Sequence, residues 1–154
     1  MLHLTIVAVG KIKEEYLRQG IAEYQKRLTP YTKLKIIELP DAPLGRDPGE
    51  ARREEGKRIR SVLKPRSFVA VCDRQGKKLT SEGFAQWLAD REKGGQEVYM
   101  VIGGASGLAP EVTAEAADRL SFSDLTFPHQ LFRLLLLEQI YRGFKILRGE
   151  PYHW

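Results

Sequence analysis

The chain has 154 residues, 42% of them hydrophobic and 29% charged, which excludes a disordered polymer and leaves room for one domain, 1–154, with a sizeable core. No apolar run approaches the length of a membrane span, and Met1–Gly10 carries no cleavable signal pattern, so no membrane association is expected. The formal net charge of +5 favours a polyanionic partner such as nucleic acid, and the only cysteine, Cys72, cannot form an intramolecular disulfide and fits a reducing cytoplasm.

Leu4–Val9 is apolar and β-branched and stops at Gly10, which reads as a first strand. In Glu14–Leu28 the residues Tyr16, Leu17, Ile21, Tyr24 and Leu28 recur at helical spacing, with Pro30 just beyond. Leu34–Leu39 reads as a second strand, stopped by Pro40. Asp41–Gly49 is rich in proline and glycine and reads as a loop. Glu50–Leu63 is a charged surface helix with a thin apolar face of Ala51, Ile59, Val62 and Leu63. Ser67–Cys72 is a third strand, and Ser81–Arg91 a helix with Phe84, Trp87 and Leu88 on one side. Glu97–Ile102 is a fourth strand, Pro110–Asp118 a short helix, and Leu120–Leu125 a short strand or extended loop. Pro128–Leu147 is a long helix opened by a proline. Strands alternating with helices imply an α/β fold with a mostly parallel sheet and helices on both faces.

Two segments stand out. Val98–Gly107 is a near-continuous apolar run ending in glycines, the pattern of a strand buried on both faces that delivers a flexible turn to a ligand. Ligands of open α/β sheets bind beyond the carboxyl ends of the strands, so this segment nominates a small-molecule site. The last helix is apolar on more than one face. A helix covering one side of a sheet needs only one stripe, so the excess is buried either within the subunit or, as we expect, in a homodimer interface.

Several motifs fail. Gly103–Gly107 does not follow G-x-G-x-x-G and comes after the fourth strand instead of the first. Gly76-Lys77 lacks the rest of a phosphate-binding P-loop, and Leu108 stands where a nucleophile elbow needs glycine. His3, His129, His153 and Cys72 have no metal-ligand spacing, so no metal is expected.

The chain resembles the SPOUT (α/β-knot) methyltransferases, and within them the ribosomal RNA large subunit methyltransferase H family. The resemblance rests on Ile6–Lys11, Ile102-Gly103-Gly104 with Gly107-Leu108, Leu120–Ser123, Leu125–Gln130, Arg133, Glu138-Gln139, Tyr141-Arg142 and Pro151–His153, and it covers essentially the whole chain. It implies a C-terminal trefoil knot and a homodimer. It also implies S-adenosyl-L-methionine held in a bent form by the loops Gly103–Leu108 and Phe122–Phe127, and methylation at N3 of pseudouridine 1915 of 23S rRNA within the ribosome. Alternatives are another RNA substrate such as tRNA, or a ribosome-binding module without catalysis. Relatives usually follow Tyr-His with a basic residue. Here Trp154 follows, an aromatic suited to stacking on a base.

By that correspondence Cys72, Gly103 and Phe122, Ser123, Asp124, Leu125, Thr126 and Phe127 are the expected cofactor contacts. Methylation at N3 needs loss of the imide proton, and His153 is the candidate base. Tyr152 would orient or stack on the target base, and Arg142 would stabilise the imide anion or hold a phosphate. His129 is expected to be structural and neutral at its helix start, and Arg133 and Glu138 to be paired structural charges. Lys11, Lys13, Arg74, Lys77 and Lys78 leave one end of the sheet and are candidates for RNA contact. Arg52, Arg53, Arg58 and Arg60 alternate with glutamates as a salt-bridged face.

Overall fold

Strands and helices alternate as β1 (Leu2–Val9), α1 (Glu15–Leu28), β2 (Thr32–Leu39), α2 (Pro48–Val62), β3 (Phe68–Lys78), α3 (Ser81–Gly94), β4 (Val98–Ile102), α4 (Pro110–Glu115), β5 (Asp118–Ser121) and α5 (His129–Arg148). The structure, a computed structural model, describes every residue except Leu44, Arg46 and Trp154; the stacking role expected of Trp154 therefore lies outside the described residues. The five strands form one sheet in the order β2-β1-β4-β3-β5, with every pairing parallel. This is the α/β architecture that the alternation of elements implied.

The alternating side chains of the central strands build two cores. Leu4, Ile6, Ala8, Met100 and Ile102 pack with Leu17 and Ile21 of α1, Phe84 and Leu88 of α3, and Leu136, Leu137 and Ile140 of α5. Val7, Val9, Val71, Tyr99 and Val101 pack with Ile59 of α2 and Val112 of α4. Leu136, Leu137 and Ile140 are fully buried, and each contributes about 1.5–3 kcal/mol through removal from water. The α5 stripe that faces the sheet is Arg133, Leu136, Leu137, Ile140, Gly143 and Phe144, while Leu131, Leu134, Leu135 and Ile146 remain only half-buried.

Several boundaries differ from expectation for local reasons. α2 starts at Pro48, not Glu50, because the Asp47 carboxylate accepts from the amides of Gly49 and Glu50, a proline-led N-cap. β3 does not stop at Cys72 but continues to Lys78. Both Cys72 and Lys77 pair with Leu120, so the residues between them bulge out. Gly76 makes that return possible, since a Cβ there would lie 2.6 Å from the Arg119 carbonyl oxygen. β5 is correspondingly early, and the segment from Phe122 to Phe127 is irregular chain. No helix among the described residues is long and apolar enough to cross a membrane.

Candidate functional site

The carboxyl ends of β3, β4 and β5 open into a cleft of about 330 Å³. Cys72, Ile102 and Leu120 form its floor, so the strands themselves supply an apolar base. Burial pushes the Cys72 thiol up to about 12. It keeps some surface toward the cleft, yet it remains a protonated, apolar group there.

One wall is the turn after β4. Gly107 donates its N–H to the Gly104 carbonyl at 3.0 Å, and its φ of +84° is a conformation that a side chain disfavours. A Cβ on Gly103 would sit 3.0 Å from the Gly107 carbonyl carbon and the Leu108 Cγ, so the turn closes tightly on itself. Arg52 of α2 fastens it from outside by donating Nη1–H to the Ser106 carbonyl at 3.1 Å. Gly103, Gly104 and Gly107 thus present bare backbone to the cleft, with Leu108 beside them.

The opposite wall is Phe122–Phe127. The Ser123 hydroxyl accepts the Leu125 amide at 2.8 Å, and Ser121 Oγ donates to the Ser123 carbonyl at 3.2 Å. Phe122 is held edge-on between Phe84 at 5.1 Å and Phe132 at 5.5 Å between ring centres, contacts worth about 0.5–1.5 kcal/mol each.

Of the expected cofactor contacts, Cys72, Gly103, Phe122, Ser123, Leu125, Thr126 and Phe127 line this cleft. Asp124 does not. It is drawn outward by Lys78, 2.6 Å from its carboxylate. His129 and Phe132, on the first turn of α5, line the cleft although neither was singled out for it. His129 immediately follows the Phe122–Pro128 segment, so its position was the available signal. Arg74, expected at an RNA surface, also borders the cleft and donates to the Asp124 carbonyl at 3.3 Å.

Arg142, Tyr152 and His153 are brought together, but not in the cleft. All three gather on Glu138 or its partner. Arg142 donates Nη2–H to Glu138 at 2.7 Å, and Tyr152 donates its hydroxyl to the same Oε2 at 2.8 Å. Tyr24 donates in turn to Tyr152 at 3.1 Å. Burial, then the Tyr24 and Glu138 hydrogen bonds, push the Tyr152 phenol up, so it stays a neutral donor. Hydrogen bonding to Glu138 likewise raises Arg142.

Arg142 also donates Nη1–H to His153 Nδ1 at 3.0 Å, and His153 Nε2 lies 2.9 Å from Glu82. A guanidinium can only donate. The ring is therefore the Nε2–H tautomer, with Nδ1 accepting and Nε2–H given to Glu82. The Glu82 carboxyl is held below its usual range by its own backbone N–H and by His153.

Arg142 lies thirteen positions beyond His129 on α5, roughly 20 Å along the axis. The tail cluster and the cleft are thus separate places on one chain. Among the described residues no group of three or more His, Cys, Asp or Glu is placed to hold a metal ion. Arg133 is buried and structural, bonded to Glu38 and to the Gly10 carbonyl, and Glu138 organises the tail.

Residues 2–153 match the family described as "Predicted SPOUT methyltransferase". The chain belongs to the SPOUT methyltransferases. A relative from Carboxydothermus hydrogenoformans, named "Ribosomal RNA large subunit methyltransferase H", is 52% identical over 158 residues, covering 99% of each chain. Among solved structures, a probable methylase family protein from Haemophilus influenzae Rd KW20 shares the fold. It has a TM-score of 0.56 at 13% identity and covers all of this chain and 72% of that one. The SPOUT assignment makes this chain an enzyme that moves a methyl group from a donor.

Proposed function

We propose that this SPOUT enzyme takes a methyl group from S-adenosyl-L-methionine and delivers it to N3 of pseudouridine 1915 of 23S rRNA, within the ribosome and in the cytoplasm. The name and the 52% identity of the full-length relative support the substrate. The observation that carries the donor is the pairing of a glycine-rich turn, in which Gly103, Gly104 and Gly107 line the cleft beside Leu108, with the Phe122–Phe127 wall over an apolar floor. Those residues fit the donor. Bare backbone suits the hydrogen-bonding edge of adenine, and Cys72, Ile102 and Leu120 suit its ring and the thioether arms. The trefoil threading of the family belongs to the same proposal, since both walls it would create lie at this rim.

When bound, the sulfonium supplies an electrophilic methyl group. Everything else falls to the chain: holding the target base in line and removing its imide proton. His153 is the base in this reading. Its Nδ1 lone pair becomes free when Arg142 turns from it to the developing imide anion, so one movement exposes the base and supplies the counter-charge. Tyr152, fixed by Glu138 and Tyr24, orients the target ring.

The distance between tail and cleft on one chain supports a homodimer. The half-buried Leu131, Leu134 and Leu135 of α5 and Leu125, which is 71% exposed, provide apolar surface for it. Twofold pairing would offer each tail to the other protomer's cleft.

Titration calorimetry tests the donor half. S-Adenosylmethionine and its demethylated product should each bind saturably, and Gly103→Val should abolish the heat. Absence of saturable binding to the wild-type protein would overturn the reading.

A further inference from the structure

The first turn of α5 borders two hollows. His129 and Phe132 line the donor cleft, while Arg133 lines a second hollow of about 360 Å³ between α1 and the end of β2. Ile21 and Ile36 give this hollow an apolar floor, and Lys11 and Arg18 stand on its rim with Glu38. Three cations thus face one carboxylate, and that carboxylate is already engaged by Arg133.

Arg133 is 1% exposed, and its Nε–H has no acceptor among the described residues. That Nε–H is itself shut off from the surface, so Arg133 is an incompletely satisfied buried cation that acts on the hollow through its charge and not through a direct bond. The salt bridge of Arg18 is with Glu15, and its two side chains are 55% and 66% exposed. Bridges of that kind are worth little and exchange readily. The loop carrying Lys11 is also tied to α5: Lys13 donates its N–H to Gln130 Oε1 at 3.0 Å, and Arg18 donates to the Lys13 carbonyl at 3.2 Å.

We propose that this second hollow seats a backbone phosphate of the RNA strand that carries the target nucleoside. Lys11 and Arg18 take the phosphate oxygens, and Arg133 supplies the fixed positive charge behind them. Phosphate contacts set register without reading sequence. Here one helical turn joins the seat to the donor cleft, so the seated phosphate fixes how far the strand lies from the methyl group. The inference rests on the RNA-methyltransferase reading above and names the residues by which that enzyme holds its substrate.

The test is the double variant Lys11→Ala, Arg18→Ala, both sites lying outside the donor cleft and the tail cluster. With ribosomes lacking the methyl group, KM should rise about tenfold while kcat stays within about twofold, and the salt dependence of ribosome binding should flatten by about one to two in log–log slope. Donor affinity should not change. An unaltered KM and salt slope would overturn the seat.

A second readout does not depend on activity. The Nε–H resonances of Arg18 and Arg133 in the wild-type protein should shift with a single-stranded RNA of about ten nucleotides and not with inorganic phosphate at matched charge. An equal response to phosphate would make this a free-anion site and overturn the RNA assignment; no response to either would overturn the seat itself. Failure of the wild-type enzyme to methylate ribosomes would instead sink the broader reading, with the resonances still deciding the seat.

Discussion

Replacing Gly76 with alanine places a methyl carbon 2.6 Å from the Arg119 carbonyl oxygen, 2.7 Å from its carbonyl carbon and 2.9 Å from the Leu120 amide nitrogen. All three are backbone atoms of β5, so no rotamer relieves the overlap. Ordinary contact begins at 3.4 Å, and the strands must therefore part by about 0.8 Å. That separation breaks the pairing of Lys77 with Leu120 and of Lys78 with Ser121. Overpacking of this kind costs about 1–3 kcal/mol, and two lost ladder hydrogen bonds at about 1 kcal/mol each agree with it. Ser121 runs straight into Phe122–Phe127, so the cleft wall moves with the strand. Urea denaturation should show a loss of about 2 kcal/mol, and calorimetry a donor affinity about tenfold weaker. Gly94→Ala is the control. Its new methyl meets nothing within 4 Å, and better helix propensity should raise stability by up to about 1 kcal/mol. A Gly76→Ala protein with an unchanged denaturation midpoint and unchanged donor affinity would refute the reasoning.

Burial that raises the Cys72 thiol to about 12 leaves roughly a thousandfold less thiolate at pH 8 than a free thiol near 9, so iodoacetamide should label the native protein correspondingly slowly; labelling at the free-thiol rate would contradict the enclosed floor. Because the folded thiol keeps its proton to higher pH than the unfolded one, its stability contribution is whole below pH about 9 and declines between about 9 and 12. Cys72→Ala should remove that part of the slope in denaturation measured against pH. Gly143→Ala sets a Cβ 2.6 Å from Leu88 Cδ1, a fully buried side chain, and should lower stability by about 1–3 kcal/mol in thermal melts. Co-refolded mixtures of His153→Ala and Gly103→Val protomers, each inactive alone, should recover about one quarter of wild-type activity if tails serve the opposite cleft; a mixture as inactive as its parents would show that they do not.

The elements that the sequence displayed well are those whose burial imposes a period. β4 is buried on both faces and reads as an unbroken apolar run, as does β1 from Ile6 to Val9, and α5 shows its stripe from Arg133 to Phe144. The continuation of β3 beyond Cys72 was illegible because Asp73–Lys78 is polar and contains a glycine. Those residues read as a loop leaving the third strand, and only the backbone of Arg119 and Leu120 across the sheet explains them. Most of the cleft was legible, since glycines after an apolar strand signal a close approach. Asp124 misled because its direction depends on Lys78, forty-six residues away. The tail is a different case. Tyr152 and His153 carry no periodicity, and their positions are set by Glu82, Tyr24 and Glu138 on three different helices, which no local pattern records.

The proposed reaction passes a methyl group from the cleft to one nitrogen of ribosomal RNA. Purified protein incubated with labelled S-adenosylmethionine and ribosomes lacking this modification should place the label at N3 of pseudouridine 1915 in 23S rRNA, as read by nucleoside mass spectrometry. No incorporation, or label confined to another nucleotide, would contradict it.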